Sequence, residues 1–434
     1  MNFTQLINSF HRYQCTRLYV KVLAENDNSK NQIYLGSDFS AVTILPYQKI
    51  NKSSNQYKAE LDFSWLSDYG TLKKAAHAQL ILYPQYPEVR FSGFLLGCQS
   101  APSDILTKRE AGRLLFFGIT STNTIIGYAD QKDTPLNREF MNLGNIPKNG
   151  VFFELTSILA GRDIRTDLLN HLREIHRKQW IDSKRLNSTH QVLPCNASNC
   201  GGYTLEAEFG IVPNGKSEPD FHGWELKQHS VSQFSHYKSG VITLMTPEPT
   251  GGYYKEVGVI PFIKKYGYLD KCGRSDRMNF GGLHYAGKQN ATTGLTLTIQ
   301  GYDESRGKIC DLNGGIALVS SKGNIAALWH FSSLLEHWNR KHSNAAYIPS
   351  MFRKGNKPQY WYGNLIRLGE GTDFSLFLSA IASGRIYYDP GIKVEKVSTG
   401  KPLTKRRSQF RTKSSEINHL YRCMEQVNVL ENVN

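Results

Sequence analysis

Asp220, followed after four residues by Glu225 and then by Lys227 at the next alternate position, is the set in this 434-residue chain best suited to chemistry. In a strand alternate side chains share a face, so Glu225 and Lys227 point one way while Trp224 and Leu226 enter the opposite layer. Pro219 and Gly223 interrupt the segment and permit a bend that returns the Asp220 carboxylate to Glu225. Two hard oxygen ligands, with positions left for water and a phosphate oxygen, suit Mg²⁺. Such a metal would neutralise charge on a phosphate and acidify a water, which Lys227 would orient or help deprotonate. The expected chemistry is metal-dependent phosphodiester hydrolysis without a covalent intermediate. Acids and lysines that alternate on an exposed strand usually mark a solvated face, so the triplet gains its meaning from its neighbours. One of these is Glu206, fourteen residues before Asp220, in a short amphipathic segment where Leu205 and Phe209 share a helical face.

A helix carrying an acid, then a hairpin carrying Asp, Glu and Lys, is the arrangement of the PD-(D/E)XK nucleases. Thr204-Leu205-Glu206, the interval to Pro219-Asp220-Phe221-His222, then Glu225-Leu226-Lys227-Gln228-His229 and Leu244-Met245-Thr246 resemble the MvaI/BcnI restriction endonucleases more closely. The resemblance implies Asp220, Glu225 and Lys227 as catalytic residues, Asp220 and Glu225 as metal ligands, and Glu206 as an auxiliary acid. It also implies a monomer that cuts one strand at a time.

The chain holds 52 basic and 37 acidic residues, a net charge of +15, with a pI near 9.3. This balance implies an anionic partner, of which double-stranded DNA fits best. No apolar run is long enough to cross a membrane, and residues 1–10 lack the pattern of a secretory signal. A cytoplasmic protein of a prokaryote is the expectation. The seven scattered cysteines suit reduced thiols better than a disulfide framework. His190, Cys195 and Cys200 lie close together but lack a C-x-x-C pair, so the Asn196 to Asn199 stretch reads as a loop rather than part of a zinc site.

Residues 1–155 read as a β-rich domain, with strands expected at Leu18–Leu23, Thr43–Leu45, Ala78–Tyr83, Val89–Phe91 and Leu114–Phe117. Tyr19 to Asn28, followed by Asn31 to Leu35, resembles the start of the B3-like effector domain of EcoRII-type restriction enzymes. That resemblance implies DNA contacts from Lys21, Asn26, Asn28, Lys30 and Gln32, while Arg90, Lys108, Arg109 and Arg113 are candidates by position only. The alternative for this domain is packing against the rest of the chain, shaping its cleft.

Residues 156–200 form a helical connector or first nuclease helix, with Leu168, Leu169, Leu172 and Ile175 at helical spacings. Residues 201–434 form the nuclease domain, expected to be α/β, a mixed sheet flanked by helices. Val241–Met245, Leu295–Ile299 and Ile316–Val319 read as strands of the central sheet. Helices are expected from Ser332 to Arg340, with Ser332 or Ser333 as cap, and from Asp373 to the stop at Gly384. The Gly-, Tyr- and Lys-rich stretch 250–290 reads as a recognition loop, with Lys255, Arg274, Arg277 and His284 as DNA contacts. The tyrosines at 347, 360 and 362 read as packing beneath the basic turn 353–357. Arg385 to Asp389 resumes the family pattern.

Lys401, Lys405, Arg406, Arg407, Arg411 and Lys413 form a basic run without an intervening acid, suited to a solvated segment or to a groove along DNA. Phe410-Arg411 resembles a late Phe-Arg of the family, which implies that Arg411 distinguishes A·T from G·C at the central base pair. Where the family pattern is rich in histidine, this chain has Lys405, Arg406 and Arg407. The reading is a Mg²⁺-dependent type II restriction endonuclease cutting a short site related to CCNGG, with a cognate DNA methyltransferase as its genetic partner. A structure-specific or nicking repair nuclease, and a non-cleaving DNA-binding protein, are the alternatives. The first should prefer branched or mismatched duplexes to any defined sequence; the second should bind without cutting.

Overall fold

The computed structural model describes residues 1–25, 31–86, 88–213 and 219–431, with the backbone alone for residues 339–341. Asn26, Asn28 and Lys30 therefore lie outside the described residues.

The N-terminal part is β-rich, as its run of branched and aromatic residues demands. One seven-stranded sheet is centred on Cys15–Val22, Leu114–Thr120 and Ile125–Asp130, and a five-stranded sheet on Glu88–Ser92 and Gln79–Tyr83. Their facing side chains, among them Phe63, Trp65, Phe91, Phe94 and Phe117, pack as stacked, tilted and edge-on aromatic pairs 4.6–6.5 Å apart. Thr43 and Ile44 belong to a short buried helix, Ser40–Ile44, not to the expected strand. Burial on every side overrides the β preference of branched residues.

The C-terminal part begins with helix α1, Ile164–Arg177, which buries Ile164, Leu168, Leu169, Leu172 and Ile175 and is capped by the Asp163 side chain. Helix α2, Cys200–Glu208, leads to the catalytic candidates. Strand β1, Trp224–Ser230, carries Glu225 and Lys227. Strand β2, Val241–Met245, follows, and helix α3, Phe331–Lys341, precedes strand β3, Asn344–Arg353. Next come β4, Gln359–Tyr362, and β5, Leu365–Glu370, then helix α4, Phe374–Ala382. Strands β6, Ile386–Tyr388, β7, Phe410–Lys413, and β8, Cys423–Asn428, complete the set that builds the site.

The sheet under the site is mixed. β1 runs parallel to β3, with Glu225 opposite Ala345 and Lys227 opposite Tyr347, while β3, β4, β5 and β8 are joined by antiparallel pairings. Trp224 and Leu226 enter a core with α1 and Leu205 of α2, so β1 buries one face and offers the other. β2 pairs not with this sheet but with β7, which also pairs β6. Leu295–Gln300 and Gly315–Ser320 form a further three-stranded sheet with Ile325–His330, rather than extending the central one.

The stretch 250–290 is less loop-like than expected. Val259, Phe262, Ile263 and Tyr266 recur at helical spacing and bury one face of a helix, Val259–Tyr266, behind the shorter helix Gly252–Val257. α3 starts at Phe331 with His330 as N-cap and no capping side chain, so neither Ser332 nor Ser333 has the expected role. α4 matches expectation: Asp373 accepts from the Ser375 amide at 2.8 Å, and Gly384 takes the left-handed conformation that ends the segment.

One apolar cluster runs from the N-terminal sheets through α3 and α4 to Tyr421. The helix Ser40–Ile44 packs on α3. The Phe39 amide donates to Asp373, and Arg422 pairs with Asp38.

Cys195 and Cys200 are bonded as a disulfide, their Cα atoms 5.8 Å apart across a turn, which corrects the expectation of reduced thiols throughout. His190 stays on an exposed turn, and the two sulfurs hold each other rather than a metal. Denatured, unreduced protein is expected to react with a thiol reagent at five cysteines, rising to seven after reduction. Seven before reduction would show that the bridge does not form.

Candidate active site

The carboxylates and the lysine are brought together by short-range geometry. Phe221 and Trp224 exchange backbone hydrogen bonds of 2.9 and 2.8 Å, closing a turn through His222 and Gly223, both at positive φ. The turn folds the chain back so that Asp220 Oδ2 accepts from the Leu226 amide at 2.9 Å. Lys227 Nζ donates to Glu225 Oε1 at 2.6 Å, and Glu225 is only 3 % exposed. Burial pushes the Lys227 ammonium toward neutrality, but the charges of Glu225 and Asp220 and the Tyr347 ring oxygen outweigh it and raise its pKa.

Beneath Lys227 its strand partner Tyr347 shares a 3.0 Å hydroxyl contact with Tyr421, and burial pushes Tyr347 up to about 12. One strand further, Arg367 stands opposite Tyr347, is buried, and donates to the Ser414 carbonyl over the Tyr237 ring. Only the tyrosine of these was noted in the sequence. The Lys227, Tyr347 and Arg367 row depends on pairing between distant strands, which no local spacing reveals.

Glu206 lies on α2 and, with Lys227, Thr243, Arg407, Gln409 and Arg411, lines a cleft of about 610 Å³. Arg411 Nη1 donates to Asp389 Oδ2 at 2.6 Å, so its guanidinium is held on β7 at the cleft wall. Asp389, missed as a site residue, was visible as an acid in the family-like stretch from Arg385. The basic run is not a free segment: it contributes Leu403–Lys405 and β7 to two sheets, and brings Arg407 and Arg411 into the cleft.

The other candidates are scattered. Lys255, Arg274 and Arg406 are exposed. Arg277 is partly buried between Asp270 and Glu395 at 3.3 and 3.5 Å, a cross-strand tie. His284 is corrected outright as a surface contact: it is fully buried, stacked on Phe280, and bonded to Thr293 at 2.9 Å. Burial drives its pKa down to about 4, so it is a neutral core residue. His229, on the same face of β1 as Lys227, is likewise buried, bonds the Tyr237 carbonyl at 2.7 Å, and falls to about 4. Lys21 is buried and lines a cavity of about 140 Å³ with Gln32, Arg90 and Arg113; burial and the nearby Lys148 bring it down to about 8. Arg113 is committed to the carbonyls of Ala24, Ile105 and Glu110.

Among the described residues no group of three or more His, Cys, Asp or Glu could hold a metal ion. Asp220, ahead of the turn, and Glu225, on β1, are a carboxylate pair of the kind that would suit a hard cation drawing its remaining ligands from water and phosphate. It does not suit zinc, which takes three or four protein ligands.

A mixed sheet that holds two acids against a lysine, with the lysine at a cleft, fits the nuclease class to which the sequence pattern points. The chain matches the MvaI/BcnI restriction endonuclease family over residues 169–421, more than half its length, and belongs to that family of nucleases. Among solved structures, the complex of restriction endonuclease MvaI with its cognate DNA substrate is similar at 18 % identity and a TM-score of 0.45, covering 61 % of this chain and 98 % of that one. MvaI in the absence of DNA is similar at 16 % identity and a TM-score of 0.34, with the same coverages. No curated protein matches the sequence. No described helix is long and apolar enough to cross a membrane.

Proposed function

We propose that this chain is a Mg²⁺-dependent, site-specific endonuclease that cuts double-stranded DNA at a short sequence related to CCNGG. The reading rests on one observation above others: Asp220 and Glu225 converge on Lys227, and Lys227 lines a cleft together with Glu206 and Arg411. Asp220 and Glu225 would hold the Mg²⁺, which when bound offsets phosphate charge and acidifies a water. Lys227, anchored on Glu225, orients the attacking water and faces the charge that develops on the phosphate. Water adds to phosphorus as the bridging P–O bond breaks, leaving one end as phosphate and the other as hydroxyl. Glu206, on α2 in the same cleft, serves as an auxiliary acid. Lys255, Arg274, Arg406 and Arg407 supply phosphate contacts, consistent with the net charge of +15.

The enzyme acts as a cytoplasmic monomer in a restriction-modification pair, with a cognate methyltransferase protecting host DNA. Residues 1–155 contact a second DNA copy, residues 156–200 connect, and residues 201–434 carry the nuclease. Added site-bearing duplex should then stimulate cleavage of a one-site plasmid; no stimulation removes the effector role.

The deciding experiment is sequencing of the ends left on unmethylated plasmid by purified protein with Mg²⁺. Discrete ends at one repeated sequence establish the reading; uncut DNA, or ends at branched or mismatched positions only, overturn it. With the site known, Arg411→Ala is expected to erode discrimination between A·T and G·C at the central pair by about 1–3 kcal/mol, roughly 5–150-fold in the ratio of kcat/KM values. An unchanged ratio would remove Arg411 from recognition.

A further inference from the structure

β3 is longer than the strand it supports. Its pairing with β1 ends at Ser350 opposite Ser230, yet β3 continues through Met351, Phe352 and Arg353, paired there with β4. The two strands thus project past the end of the catalytic strand as an arm, braced on its outer edge by Ile181–Asp182.

The arm's chemistry is distinctive. Its tip, residues 353–357, carries Arg353, Lys354 and Lys357 and no acid. Lys354 is exposed, and Lys357 is 78 % exposed and meets Asp182 at 3.7 Å, a pairing weak in water. The Arg353 guanidinium lies 4.5 Å from the Trp180 ring centre and donates to Gln359 at 2.6 Å, which fixes its direction. Phe352 is half exposed, against Tyr360. Of the tyrosines expected to pack under this turn, Tyr360 lies against Phe352 and Tyr362 is buried further along β4, whereas Tyr347 sits far from it beside Lys227 and Tyr421; the cations and Phe352 stay outside.

A second cavity, of about 520 Å³, lies along the arm between Phe352, Tyr360 and Pro358 on one side and the Cys195 to Ser198 turn on the other. It shares Ser198 and Ser230 with the catalytic cleft, and no carboxylate lines it. A groove that continues the cleft, has neutral walls and ends in exposed cations complements a polyanion leaving the active site.

We propose that the β3–β4 arm grips the phosphate backbone of duplex DNA outside the recognition sequence. This rests on the proposed function as a DNA endonuclease and adds a surface to it. Arg353 stands six residues beyond Tyr347, the partner of Lys227, which is roughly 20 Å along the strand. At about 3.4 Å per base pair that spans roughly six pairs, beyond a five-base-pair site centred on the scissile bond. The contacts are with phosphates, so they add affinity without sequence preference.

The test compares cleavage kinetics on the mapped site in duplexes of about 10 and about 30 base pairs, using wild type and the Lys354→Ala, Lys357→Ala double variant. On the long duplex the variant is expected to raise KM roughly tenfold at unchanged kcat, and to reduce the slope of log KM against log salt by about two. On the short duplex both proteins should behave alike, which also reports that the variant is folded. Equal KM values on the long duplex, or the same rise on the short one, overturn the proposal. Absence of site-specific cleavage by wild type on either duplex overturns the endonuclease reading and this proposal with it.

Discussion

Asp220→Asn is expected to lower the cleavage rate by about two to four decades while leaving the fold intact. The amide oxygen of asparagine still accepts from the Leu226 amide, so the turn through His222 and Gly223 keeps its closure. What the proposed function would lose is one of two anionic oxygen ligands, and metal-borne charge stabilisation is worth several kcal/mol at 1.36 kcal/mol per tenfold. Lys227→Ala should be at least as damaging, but it also strands the Glu225 charge, buried at 3 % exposure. Breaking such a pair costs about 3–5 kcal/mol of stability. The Asp220 variant is therefore the cleaner experiment, read as single-turnover cleavage alongside a melting curve. Undiminished cleavage by a folded Asp220→Asn protein would sink the assignment of the metal-binding acids.

The second large effect concerns residues 1–155. A chain starting at residue 156 is expected to be insoluble or unfolded. The helix Ser40–Ile44 packs on α3, the Phe39 amide bonds the Asp373 side chain that also caps α4, and Tyr57 donates to the Leu312 carbonyl at 2.7 Å. One uninterrupted apolar cluster joins both parts. Each large side chain returned to water costs about 1.5–3 kcal/mol, and a folded domain holds only about 5–15 kcal/mol in reserve, so a handful of such exposures cancels it. Soluble expression and thermal melting of residues 156–434 provide the measurement. A truncated protein that melts as high as the full chain would show that the N-terminal part is an appended module.

What could be read from the sequence follows from how local each feature is. α2 with Glu206, the bend at Asp220 and the alternation along β1 all arise within about thirty residues, where turn chemistry and periodicity decide. α1 and α4 were equally legible, each having an apolar stripe and an aspartate cap. β3 was not, although it is the nearest neighbour of the catalytic strand: a parallel partner leaves no trace in local spacing. β2 and Leu295–Gln300 read as central-sheet strands although their antiparallel partners, β7 and Gly315–Ser320, lie in other sheets, because apolar alternation marks a strand without saying which sheet it joins. His284 misled because composition alone cannot tell a basic surface from a histidine satisfied in a core by Thr293 and Phe280. Cys195 and Cys200 misled because scattered cysteines suggest thiols until the fold sets two of them at opposite ends of one turn.

The parallel pairing of β1 with β3 also sets a schedule. Trp224 pairs with Asn344, so some 120 residues must be made after the acid and lysine strand before its neighbour exists. At about 5–20 residues per second, ribosomes need roughly 6–24 s for that interval. Until then Asp220 and Glu225 have a turn but no sheet behind them, and the Lys227 row lacks Tyr347 and Arg367. A nascent chain thus lacks the Lys227, Tyr347 and Arg367 row until both later strands, β3 and β5, have been made and have paired.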